Sequence, residues 1–363
     1  MFAAETYQYY LLYIGMATFA ILMNTYGVKT MPYLSKAMIL LINAGALFIF
    51  VTLLARSHPK RTAREVFLIV VNETGWESNG LVFLLSLLPT ATAIIGFDAA
   101  SHMADEMPNP SRSVPQVMIG TVLLCALGGL CMVPVYLFCI TKPDNLFNPV
   151  GGQVILQLML DSFNSLPLTV IGALVYICLY IFSCASVTTG SSRVLWSFAK
   201  QGPLPFSTWL GSVQSSLELP TNAIIAVVVC SSLLGLLIFG PSTVLTSIIG
   251  SGVVCFYISY LIPIICMLFY RSNLGQGKRY FNLGSAGIVI NVISILWIII
   301  LSTFLLFPTT VPVSGSFMNY AIAVIGAAAL IFTMNWVFYA RYHYVAPREP
   351  LFDTGLHVKT ESL

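Results

Sequence analysis

The sequence predicts an all-α, polytopic membrane protein, and three observations carry that prediction. Of the 363 residues, 58% are hydrophobic and only 8% charged, whereas soluble domains carry about 25% charged residues. The few charges leave uncharged gaps of the length a helix needs to cross a bilayer, about 20 residues. All eight cysteines (Cys125, Cys131, Cys139, Cys178, Cys184, Cys230, Cys255 and Cys266) lie in apolar runs without CxxC or Cys/His spacing. They read as small buried hydrophobes, not as a disulfide framework or a zinc site. A cytosolic enzyme, a nucleic-acid binder and a disordered regulator are excluded by this composition. The net charge of +3 is too thinly spread to track phosphates. The opening "MFAAETYQYYLLY" has neither a basic n-region nor a small-residue cleavage site, so no signal peptide is expected.

Read as gaps between charges, the spans follow in order. Residues 7–27 and 37–55 are uncharged and make the first two, residues 81–97 the third, and residues 116–141 the fourth. A fifth lies at 166–190. The uncharged stretch 219–270 is too long for one helix and breaks at "FGPS", Phe239 to Ser242, giving 221–239 and 243–270. The stretch 280–340 breaks at "FPTTVPVSGS", giving 284–306 and 318–340. The expected count is nine, in a single transmembrane domain over 1–363 that ends in a tail over 341–363.

Nine spans place the termini on opposite sides, and the positive-inside rule chooses between them. With the C-terminus inside, eleven basic residues are cytoplasmic: Lys29, Lys36, Arg112, Arg193, Lys200, Arg271, Lys278, Arg279, Arg341, Arg348 and Lys359. Five are outside: Arg56, Lys60, Arg61, Arg64 and Lys142. The bias favours a cytoplasmic C-terminus, although four of the five exceptions crowd into one loop, "RSHPKRTARE". The sequon Asn72-Glu73-Thr74 falls on this outer side and makes Asn72 a glycosylation candidate.

An ionisable residue inside a span is expensive and is a functional candidate by default. Asp98 is the one acid set within an apolar segment, in "LVFLLSLLPTATAIIGFDAASHMADE". A helix from Leu81 to Ile95 is about 22 Å long, too short for a ~30 Å hydrocarbon core. Gly96, Phe97 and Asp98 then interrupt it before "AASHMADE" resumes as a second short helix. One reading is a discontinuous transport helix, whose broken ends bind substrate. The other is a kinked helix in which Asp98 caps the second half by accepting from Ala100 or Ser101 N–H.

His102, Asp105 and Glu106 share a helical face by spacing, but they sit at the cytoplasmic end before "PNP", where solvation is cheap. No other histidine lies in an apolar run (His58, His343 and His357 are in loop or tail), so no metal site is expected. No Ser-His-Asp, HExxH or phosphate-loop pattern supports an enzyme. Pro134 and Pro263 kink their helices. "CASVTTGSSR" gathers hydroxyls that either line a polar path or bond back to their own helix. "SIIGSGVVCFYISY" sets Phe256, Tyr257 and Tyr260 along one span, as packing residues or as an aromatic gate.

Several segments resemble one family. "GFDAASHMADEMPNPSRSVPQ" is similar to the broken sixth helix and following loop of the amino acid–polyamine–organocation (APC) permeases. Its Met-containing form is most like the fungal GABA/choline/amino-acid permease branch. "TTGSSRVLWSFAKQGPLPFS" resembles that family's eighth helix and the loop after it. "MNTYGVK" before "INAGALFIF", then "NETGW" and "PVSGSFMNYA", match further landmarks in order along the chain.

The resemblance implies a twelve-helix fold with five-plus-five inverted repeats of the leucine-transporter type. The nine spans correspond to its helices four to twelve, so helices one to three are expected to be missing and activity impaired. It implies secondary active transport of an amino acid or small amine such as GABA or choline. The substrate would contact Thr92, Ile95, Gly96, Phe97 and Asp98, with Phe97 occluding it and Asp98 attracting its amine. Phe256, Tyr257 and Tyr260 are the gate candidates. Proton coupling is implied with its acceptor unidentified, because Ile42 stands where some relatives carry a lysine and Lys36 lies nearer the helix end. No cofactor, metal or nucleic acid is implied. The partners are the substrate and the lipid bilayer, and the location is the plasma membrane or the vacuolar membrane. The competing reading is a non-transporting membrane subunit or receptor-like remnant of the same fold.

Overall fold

The computed structural model describes residues 5–270, 280–315 and 318–346, and they fold as helices. In chain order these are α1 (Thr6–Thr25), α2 (Met31–Arg56), α3 (Ala63–Phe67), α4 (Asn79–Leu85), α5 (Leu87–Ala93), a 3-10 segment (Phe97–Glu106) and α6 (Pro110–Phe138). There follow α7 (Val154–Phe163), α8 (Leu166–Lys200), α9 (Ser207–Leu210), α10 (Thr221–Gly235), α11 (Ser242–Phe269), α12 (Ala286–Phe304) and α13 (Ala321–Asn335). A π-helical turn, Trp336–Ala340, leads into α14 (Arg341–His343). The tail expected over 341–363 is described as far as residue 346. Arg271, Lys278, Arg279, Arg348, His357 and Lys359 lie outside the described residues.

Local chemistry sets the helix ends. Prolines open α2, α6 and α8 near their first turns, where the missing N–H would have no partner in any case. Thr62 accepts from Glu65 N at 3.3 Å, and Glu65 Oε2 accepts from Thr62 N at 2.7 Å, closing a capping box on α3. The Thr62 hydroxyl and N–H, each donating to Glu65 Oε2 at 2.7 Å, hold the exposed Glu65 carboxyl below its usual range. Gly240 and Pro241 separate α10 and its terminal 3-10 turn from α11, as the "FGPS" break predicts.

Seven helices among the described residues are long and apolar enough to cross a membrane. An eighth span exists if the bent pair Asn79–Ala93 and Phe97–Ala104 is counted as one. The first of the nine expected spans forms α1, a 20-residue helix outside that group. Its tyrosines at 7, 9, 10 and 13, with Gln8 and Asn24, dilute its apolar character. Exposed Leu11, Leu40, Leu124, Ile177 and Leu330 stud the bundle. Apolar surface on this scale is untenable in water and suits lipid.

Helix α8 is the mast of the bundle and packs against α1, α2, α7, α9, α10 and the 3-10 segment. Its 35 residues make about 52 Å of helix, longer than a ~30 Å hydrocarbon core. Gly45 lets α2 approach closely: a Cβ there would strike Val175 of α8. Asn24, 1% exposed, fastens α1 to α8 by donating to Ala185 O at 2.9 Å and accepting from the Thr189 hydroxyl at 2.5 Å.

Two buried clusters organise the interior. Ile49, Leu53, Val135, Cys139, Leu158, Met159 and Phe163 join α2, α6 and α7. Ala91, Val253, Val254, Leu301 and Leu305 hold α5 against α11 and α12. The loop "RSHPKRTARE" has a structural use for two of its arginines. Arg56 Nε donates to Phe163 O at 3.1 Å, and Arg61 Nε to Ile140 O at 3.3 Å. Both cap carbonyls at the ends of α7 and α6, where a cation is favoured.

Candidate functional site: a broken helix against an aromatic face

The third expected span is broken twice. Leu81 to Ile95 does not run as one helix; α4 ends at Leu85, α5 resumes at Leu87 and stops at Ala93. Gly96 then takes φ 95°, a left-handed conformation that glycine adopts without a Cβ clash. The chain turns by 42° into the 3-10 segment. Breaking the helix frees backbone carbonyls, and Tyr257 of α11 donates to one of them, Ala91 O, at 3.4 Å.

Asp98 sits just past the break and is 6% exposed. It was weighed as a cap of the second half, yet its Oδ2 accepts from the Tyr260 hydroxyl at 2.6 Å and lies 3.1 Å from His102 Nε2. Tyr260 comes from α11, so a carboxylate on one side of the break is tied to a helix 162 positions away. Ser101 Oγ donates to the Asp98 carbonyl at 2.7 Å, tightening the 3-10 turn.

Phe97 packs with its ring centroid 6.2 Å from Phe256 and 6.0 Å from Tyr260. Phe256 and Tyr260 are themselves 5.1 Å apart. Phe97, Asp98, Phe256 and Tyr260 therefore form one constellation of rings around a carboxylate. Tyr257 touches Phe256 at 5.6 Å but is spent on α5 and its cluster. The Thr92 hydroxyl turns onto its own helix, donating to Pro89 O at 2.7 Å. Ile95 and Gly96 are exposed, and a Cβ at Gly96 would meet nothing within 4 Å. This side of the break is an open wall.

Beyond the break, Glu106 pairs with Arg193 of α8, Oε1 to Nε at 3.1 Å. Arg193 is 6% exposed, and its Nη1 has no hydrogen-bond partner among the described residues. His102 and Glu106 thus serve different partners, while the Asp105 side chain lies outside the described residues. Next to them a cavity of about 350 Å3 is lined by Ser101, His102, Val194, Ser197, Phe198 and Gln201. His102 joins the site through a partner that sequence spacing offers, four residues from Asp98; Arg193 carries no such local signal.

The other sequence candidates lie elsewhere. In the "CASVTTGSSR" run, Thr188, Thr189 and Ser192 donate to carbonyls of their own helix, and Thr189 also holds Asn24. Asn72 folds into its own loop: Oδ1 accepts from Thr74 Oγ1 at 2.7 Å, and Nδ2 donates to Trp76 O at 2.6 Å. That loop docks on the α12–α13 connection through Val311 N to Thr74 O, 2.8 Å, and Trp76 Nε1 to Pro308 O, 3.3 Å.

Known proteins share this sequence pattern. The amino acid permease family model matches residues 1–328. A choline transporter of Saccharomyces cerevisiae is 30% identical over 91% of this chain and 58% of its own length. Amino-acid permease 2 of Neurospora crassa is 24% identical over 92% of this chain and 61% of its own. A swainsonine transporter of Arthroderma benhamiae is 28% identical over 86% and 62%. The chain spans about three-fifths of the length of these relatives. A helical, multi-pass architecture, a glycine-broken span and a family match over most of the sequence agree: the chain belongs to the amino acid permease family, one of the APC type.

Proposed function

We propose that this chain carries the substrate wall of a secondary active transporter for amino acids or small amines, choline and GABA included. The observation that carries the reading is the buried Asp98 carboxylate set among Phe97, Phe256 and Tyr260 at a glycine-broken span. A carboxylate supplies charge and aromatic rings supply polarisable faces, the chemistry that receives ammonium and quaternary ammonium groups. Names among the relatives, a choline transporter and amino-acid permeases, fit that class. Ile95, Gly96 and Thr92 contribute backbone and bulk at the break, Phe97 closes over the substrate, and Phe256 and Tyr260 face it as the gate, with Tyr257 bracing α5.

Transport is coupled to protons and takes place in the plasma membrane, with the C-terminus cytoplasmic and Asn72 presented for glycosylation on the outer side. Because Ile95 and Gly96 face open surface, the wall has no counterpart among the described residues, and we expect impaired uptake from this chain alone. Cells expressing it are given labelled choline, GABA and leucine. Weak, saturable uptake that falls further in Asp98→Asn is the expected result. Stable expression with no uptake above empty cells contradicts transport by this chain and favours a non-transporting subunit. Robust uptake contradicts the impairment.

A further inference from the structure

We propose that His102 and Asp98 form a proton-carrying pair for this site and that the pair exchanges its proton through the cavity beside α8; the proposal rests on the transporter reading above. The two residues differ in exposure in the way such a pair requires. Asp98 is 6% exposed and its Oδ2 is held by Tyr260 at 2.6 Å. His102, 3.1 Å from the same oxygen, has a side chain 39% exposed and lines the cavity of about 350 Å3 with Ser101, Ser197 and Gln201. The imidazole therefore reaches from a buried carboxylate to a polar, open space. It is the side chain whose ordinary charge change falls between about pH 5 and 8, and its two nitrogens can serve two sides.

The other charged and titratable groups on the packed elements are committed elsewhere. On α8, Arg193 pairs with Glu106 at 3.1 Å and Lys200 lies 3.6 Å from the Trp196 ring centroid. On α6, Arg112 lies over the Tyr280 ring at 5.3 Å. On α11, Tyr257 turns to Ala91 O, leaving Tyr260 as the group that faces Asp98. Asp105 shares the segment, its side chain outside the described residues. Among the described residues, His102 is the cation-forming partner of this carboxylate.

The transfer balances without any further reactant. Protonated Asp98 gives its proton to His102 Nε2, the O–H bond breaking as the N–H bond forms, which leaves a carboxylate and an imidazolium. The imidazolium releases the proton of its other nitrogen to water in the cavity. The ring is then neutral, with Nε2–H toward Oδ2 across the 3.1 Å that separates the two atoms. Tyr260 is a positioning residue that fixes the carboxylate from the α11 side.

The test uses purified residues 1–363 in lipid nanodiscs, followed by infrared difference spectroscopy in H2O and D2O. We expect a carboxylic-acid carbonyl band that is absent from Asp98→Asn. His102→Gln should slow the deuterium shift of that band by about a hundredfold. Tyr260→Phe takes a donor from the same oxygen but leaves the histidine. Deuterium exchange should stay far faster in it than in His102→Gln. The absence of an Asp98 band at every pH overturns the pair, as does wild-type exchange in His102→Gln. Exchange as slow in Tyr260→Phe as in His102→Gln overturns His102 as the route, since any disturbance of the segment would then close it. None of these readings needs substrate. If the bands behave as expected but labelled choline, GABA and leucine do not bind, the transporter reading has failed while the proton-exchanging pair stands.

Discussion

Arg193 and Glu106 show how a single side chain fixes the inner end of the broken segment. Arg193 is buried and its Nη1 has no partner among the described residues, so Glu106 supplies the bond that compensates its charge. Glu106→Ala leaves a buried guanidinium donor unsatisfied, which costs about 1–3 kcal/mol. We expect a lower melting temperature for the detergent-purified variant; an unchanged one would show that Arg193 finds another acceptor. Phe97→Ala removes the ring that joins Phe256 and Tyr260. Losing such contacts costs about 0.5–1.5 kcal/mol per aromatic pair, and if Phe97 covers the substrate, release of bound label should accelerate. Unaltered dissociation would place the ring away from the substrate.

At the scale of elements, the helix break and the close helix contacts are the sensitive points. Gly96 holds φ 95°, where an added Cβ is strained by about 1–2 kcal/mol. Gly96→Ala should therefore straighten the break or destabilise the span, lowering both melting temperature and substrate binding together. Gly45→Val drives a side chain into Val175, and overpacking of this kind costs about 1–3 kcal/mol. It should loosen α2 from α8 without altering affinity, measured as thermal stability and label binding on the same sample.

The break itself was legible in the sequence, because a short apolar run followed by Gly96, Phe97 and Asp98 cannot be a plain span. The pairing of Asp98 with His102 was not, because the spacing equally groups His102 with Asp105 and Glu106 at the solvated end. Nor was the link to Tyr260, since a contact across 162 positions leaves no local trace. The division of α4 from α5 at Ser86 has its breaker in Pro89, which has no N–H for the Leu85 carbonyl and crowds it with its ring. What the sequence does not show is how α5 is held, by the packing of Ala91 against Val253 and Val254 and by the Tyr257 hydroxyl. The short helix α7 was hidden for a different reason. Its ten residues are apolar but end at Asn164, which takes a left-handed φ of 46° just before α8 begins.

For the whole molecule, charge gaps located the long helices well, but they counted α1 as a span on absence of charge alone. Its tyrosines and amides make it less apolar than the seven long helices. Arg56 and Arg61, two of the basic residues that run against the expected orientation, cap helix-end carbonyls with their guanidinium groups and so need not follow a topological bias. A cysteine placed at Lys142 should react with impermeant maleimide in intact cells, and one at Gln201 only after permeabilisation; the reverse pattern would invert the orientation.

The account turns on the broken span as the place where substrate binds. The most direct measurement is equilibrium binding of labelled choline, GABA and leucine to the purified chain, wild type against Asp98→Asn. At least one label should bind saturably to wild type, and its affinity should fall at least about tenfold in the variant, or about 1.4 kcal/mol. Equal affinity in a variant that melts like wild type would remove Asp98, and the break with it, from the site.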